Sequence, residues 1–76
     1  MPRLTPLPWR TVVAAFLMLG FRETGQRGSH IKLERPGSPR PLIVPRYDEI
    51  PVFILSGLIR TAETSRDEFL KLIQLV

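Results

Sequence analysis

The sequence has no cysteine and a single histidine, so it forms no disulfide and cannot supply the Cys/His set of a structural zinc site. Thiol redox chemistry is excluded with them. Zero cysteine also fits a reducing compartment, and the cytoplasm is the expected location. Long hydrophobic runs are missing too. The longest, Val12 to Leu19, is eight residues, far short of the ~20 that a membrane span needs. With Arg3 and Arg10 before it, this run has the outline of a short signal peptide. No small-x-small cleavage site follows in Gly20-Phe21-Arg22-Glu23, and the run reads as part of a helix.

What remains is a chain of 76 residues, 43% hydrophobic and 24% charged, the balance of a globular protein despite eight prolines. At this length one domain over residues 1–76 is expected, since half the chain could not bury a core. Charge is unevenly spread. Up to Arg46 there are eight Lys and Arg against two Asp and Glu, a net +6; from Tyr47 onward three face five, a net −2. A basic first half suits a polyanion such as nucleic acid, or else is a solvated surface.

Met1–Leu7 is proline-rich and reads as an extended lead-in. Pro8 suits the first position of a helix in which Trp9, Val12, Val13, Phe16 and Leu17 form one apolar stripe. Gly20 is placed to end that helix in a left-handed conformation, with Phe21 folding back on the last turn. Turn residues then cut the chain into strand lengths. Gln26-Arg27-Gly28-Ser29 reads as a two-residue hairpin turn with Gly28 second of the central pair, which sets Gly25 opposite His30 and Glu23 opposite Lys32. On the second strand Ile31 and Leu33 point to the core while His30, Lys32 and Glu34 point out. After a Pro/Gly loop over residues 35–40, Leu42-Ile43-Val44 reads as a short buried strand stopped by Pro45. Pro51 can open a second helix through Ala62. The run Val52-Phe53-Ile54-Leu55 has strand character by periodicity alone, but length and Arg60 favour helix, and Val52 and Phe53 are expected in the core. Ser65-Arg66-Asp67-Glu68 is a capping box before a last short helix carrying Phe69, Leu70, Leu72 and Ile73.

This order predicts an α+β fold, α-β-β-β-α with a short extra C-terminal helix, the helices on one face of a three-stranded antiparallel sheet. The layout is that of double-stranded-RNA-binding domains, which recognise RNA by shape and backbone. The open face then carries His30, with Arg27, Gly28, Ser29, Lys32 and Arg46 as candidate RNA-binding or supporting residues. Ser29 and His30 are adjacent on a strand and point to opposite faces, so they make no nucleophile–base pair. An imidazole exchanges protons near neutral pH, and RNA brings its own nucleophile in the 2′-hydroxyl. His30 as a base therefore allows metal-free cleavage to a 2′,3′-cyclic phosphate, with Arg27 or Lys32 steadying the charge. The rate contribution expected is ~10² to 10⁴, with activity rising between about pH 6 and 7. Trp9 reads as a core or helix-anchor residue, and Arg3, Arg35 and Arg40 as solvated.

Trp9 to Gly20-Phe21, Gln26-Arg27-Gly28-Ser29-His30, Val44-Pro45, and Glu49-Ile50-Pro51 leading into Leu55, Ile59, Arg60 and Ala62 together resemble the HicA toxin family of toxin–antitoxin systems. The resemblance implies a double-stranded-RNA-binding-domain-like fold and an mRNA interferase with His30 as catalytic residue. It also implies a HicB antitoxin partner covering the His30 face, with mRNA as substrate and neither metal nor membrane involved. The chain departs from the family's pattern at Tyr47, where a histidine often follows the Val-Pro-x step, at Val52 and Phe53, and at Gly57 and Glu63, the latter standing where glycine is common. The missing second histidine motivates an alternative, a non-catalytic RNA-binding domain of the same fold. A third class, a protein-interaction module, would bind no RNA in a salt-dependent way.

Overall fold

A computed structural model describes residues 3–76; the first two residues of the expected lead-in lie outside them. The elements are α1 (Trp9–Met18), β1 (Arg22–Arg27), β2 (His30–Glu34), β3 (Leu42–Pro45), α2 (Val52–Thr61) and α3 (Arg66–Ile73). The three strands form one antiparallel sheet in the order β1-β2-β3. This is the expected α+β, double-stranded-RNA-binding-domain-like architecture. Both α1 and α2 pack on β3, and α3 closes against both helices, so one sheet face is covered and the other is left open.

Proline starts both main helices, one position earlier than expected for Pro8. Pro8 and Pro51 are extended N-caps without a side-chain hydrogen bond, so Trp9 and Val52 are the first helical residues. The α1 exit is as its sequence indicates. Gly20 takes φ +97°, its N–H reaches the Leu17 carbonyl at 3.0 Å, and the Phe21 N–H reaches the Phe16 carbonyl at 3.2 Å. That pair of bonds is a Schellman motif. It lays Phe21 edge-on against Phe16, ring centroids 5.9 Å apart, and Phe16 in turn meets Phe69 of α3 at 5.2 Å. The core is built outward from these three rings by Val12, Ile31, Leu33, Leu42, Val44, Ile50, Leu55 and Leu58. Of the α1 stripe, Leu17 lies largely outside it.

Phe53 is 77% exposed, against the expectation that it joins the core; Val52 is half-buried. The cause is helical phase. Leu55, Leu58, Ile59 and Ala62 are the buried positions, and at about 100° per residue Phe53 falls on the far side of the helix from Leu55. At the start of α3 the Ser65 hydroxyl accepts the Glu68 N–H at 3.0 Å, the hydroxyl half of the capping box.

The Arg35 side chain is not solvated as expected. One guanidinium nitrogen donates to the Leu19 carbonyl and another to the Ala62 carbonyl, each at 2.9 Å, and Nε donates to the Ser38 hydroxyl at 3.1 Å. Leu19 and Ala62 are the C-caps of α1 and α2. A single cation therefore joins two negative helix ends, stacked 4.4 Å from the centre of the Phe21 ring.

Candidate functional site

The site begins at the β1–β2 turn. Gly28, at φ +59°, is the first central residue of that turn, not the second, and Ser29 is the other. The turn is shifted by one residue, so each pairing next to it moves by two from the expected register. Arg27 lies opposite His30 and Gly25 opposite Lys32, while a bulge at Thr24 puts Glu23 opposite Leu33. Positive φ is required one place earlier in the turn than the sequence reading put it, and beyond the bulge the ladder continues with Arg22 opposite Glu34. The expected outward set on β2 holds: His30, Lys32 and Glu34 are exposed, Ile31 and Leu33 buried.

On the other side of β2, His30 is paired with Pro45 and Lys32 with Ile43. Ile43 is half out of the surface rather than buried, because β3 alternates at the sheet edge and sends only Leu42 and Val44 inward with its last residue, Pro45. These pairings produce an open concavity of about 800 Å³ lined by Arg27, His30 and Lys32 together with Thr24, Gly25, Gln26 and Ile43. A Cβ at Gly25 would sit 3.8 Å from the Lys32 Cβ, an ordinary contact, so glycine here is what keeps the concavity clear above the Lys32 stem. Thr24 donates to the Glu34 carboxylate at 2.6 Å, which ties the bulge residue of β1 to the end of β2.

Of the six residues singled out in the sequence, Arg27, His30 and Lys32 share the concavity. Gly28 and Ser29 form the adjoining turn, and Arg46 sits beyond it. The Arg46 N–H donates to the Ser29 carbonyl at 2.7 Å, but its guanidinium lies over the Trp9 ring, 5.1 Å from the centroid. Gly25, expected opposite His30, lines the concavity from opposite Lys32 instead; the lining residues that sequence reasoning missed are Thr24 and Gln26, which carry no local signal, and Ile43, read as core. Among the described residues no three His, Asp or Glu side chains cluster as a metal centre would require. No helix is long and apolar enough to cross a membrane among those residues.

The profile of one protein family, the HicA toxin of bacterial toxin–antitoxin systems, matches residues 9–64, from the first residue of α1 to the end of the α2 cap. The chain belongs to the HicA toxin family. No curated protein matches it. As a HicA toxin it has an antitoxin as its implied partner, and the matched span contains the whole sheet, the concavity and His30. The helix α3, although it supplies Phe69 to the core, lies outside the span.

Proposed function

We propose that this HicA-family chain is a single-domain cytoplasmic mRNA interferase, restrained by a HicB-like antitoxin that covers the His30 face. The observation that carries the reading is the cross-strand grouping of one exposed imidazole with two cations in an open concavity. In this reading the neutral His30 ring takes the proton of a 2′-hydroxyl. The freed oxygen bonds to the adjacent phosphorus, the P–O5′ bond breaks, and the departing 5′ oxygen takes a proton from water. One product ends in a 2′,3′-cyclic phosphate. Arg27 and Lys32 hold the non-bridging oxygens while charge builds on them, as guanidinium and ammonium groups do at phosphates. Gly28 and Ser29 serve by shaping the turn that presents His30 beside Arg27.

General base catalysis supplies about 10² to 10⁴ in rate, roughly 3 to 5 kcal/mol of barrier, so turnover is slow without a second proton-transfer group. Tyr47 in place of the family's frequent histidine favours the second reading, a non-catalytic RNA-binding domain. The test compares the parent with His30→Ala on labelled single-stranded RNA in EDTA, with circular dichroism to verify the fold. Cleavage by the parent, reduced ~10² to 10⁴-fold in the variant while RNA binding persists, supports the interferase. Binding by both with cleavage by neither supports the non-catalytic domain.

A further inference from the structure

Beyond the turn from His30, two guanidiniums converge on one indole. The Arg10 guanidinium carbon lies 4.8 Å and that of Arg46 5.1 Å from the Trp9 ring centroid, so the two cations are no more than about 10 Å apart. At that separation, about one Debye length at 0.1 M salt, they repel. Cation–π contact with a half-buried ring holds each guanidinium in place and leaves its N–H groups to solvent.

Backbone bonds fix the cluster relative to the concavity. The Arg46 N–H is bonded to Ser29, the residue before His30, and the Trp9 N–H is bonded to the Tyr47 carbonyl at 3.1 Å. Arg46 itself directly follows Pro45, the strand partner of His30. The Gly28–Ser29 turn adjoins both Arg46 and His30, and a Cβ on Gly28 would meet nothing within 4 Å.

We propose that Arg10 and Arg46, held on Trp9, form a phosphate-binding subsite that continues the His30 concavity around the turn and takes the backbone of the same RNA strand. The inference rests on the ribonuclease reading and assigns to it a contact outside the reacting centre. Trp9 is a positioning residue: its ring carries the two guanidiniums, and they, not the indole, meet the strand. Pre-positioned arginines lose little side-chain entropy on binding and match phosphate oxygens in two-point contacts.

Trp9 is the sole tryptophan, so its emission reports on this subsite alone. The probe is an end-labelled single-stranded 2′-O-methyl oligoribonucleotide, which has the phosphates but lacks the nucleophile. Binding is followed by label anisotropy and Trp9 fluorescence together. The expected result is a Trp9 change that tracks the anisotropy. In Arg10→Ala/Arg46→Ala, whose altered residues are exposed, Kd should rise about tenfold and the slope of log K against log salt should shrink by about 1.4, ~0.7 per lost phosphate contact. The Arg10→Lys/Arg46→Lys variant should restore the slope, and Arg40→Ala should leave it in place. Binding with an unchanged slope in the double alanine variant, or with silent Trp9 emission, overturns the subsite while the ribonuclease reading stands. No anisotropy change at all removes both.

Discussion

Arg27 and His30 are strand partners at the closing pair of the β1–β2 hairpin, separated only by Gly28 and Ser29. Cross-strand partners project to the same face, so a two-residue turn is enough to bring a cation beside the imidazole. Had the turn been centred on Arg27 and Gly28, Arg27 would have been spent in the loop and Gly25 would face His30.

Arg27→Ala is therefore expected to lower RNA cleavage by about 10²-fold, the scale of losing one preorganised group at a developing charge. Its thermal midpoint should barely move, because the side chain is exposed. Initial rates with a melting curve on the same preparation check both halves.

Gly25→Val separates the shape of the concavity from the stability of the sheet. A Cβ is tolerated at 3.8 Å from Lys32, and valine suits a strand, so the variant should fold at least as well as the parent. The added side chain fills the space beside Lys32 and is expected to reduce cleavage by roughly 10²-fold through displacement of the substrate phosphate. Full activity in a folded Gly25→Val protein would show that the concavity is not where RNA sits.

Arg35 makes a stability prediction of the opposite kind. Arg35→Ala leaves two helix-end carbonyls without their charged donor and uncovers Phe21, at an expected cost of about 2 kcal/mol. For a domain of this size that lowers Tm by roughly 10 °C. Arg40→Ala, at an exposed loop position, should change Tm by little.

These contrasts also mark what the sequence can and cannot reveal. The α1 exit was legible because Gly20-Phe21 after an apolar stripe is a local signal, and the inward and outward sets on β2 were legible because their period of two is local as well. The hairpin register was not. It turns on whether Gly28 takes the first or second central place, which one φ value decides, and on a bulge at Thr24 that no residue pattern marks. Arg35 was missed for a related reason: the two helix-end carbonyls it joins are 16 and 27 residues away. Phe53 is apolar, yet helical phase sets it opposite Leu55, so residue type alone points to the wrong side of α2.

Glu63 offers a stabilising change. It occupies the left-handed position after α2 at φ 59°, in a second Schellman turn closed by Glu63 N–H to Arg60 and Thr64 N–H to Ile59. A side chain in that conformation costs on the order of 1 kcal/mol, so Glu63→Gly should raise stability by about that amount in urea unfolding. Loss of stability would mean that the Glu63 side chain makes a contribution exceeding its backbone cost.

The most direct test of the chemistry uses an oligonucleotide with a single ribonucleotide in an otherwise 2′-deoxy strand, incubated in EDTA with the parent and with His30→Ala. If His30 activates a 2′-hydroxyl, the parent cuts only on the 3′ side of the ribonucleotide and leaves a 2′,3′-cyclic phosphate there, while His30→Ala leaves the strand intact. Cutting at deoxy positions, or equal cutting by His30→Ala, would contradict that role for His30.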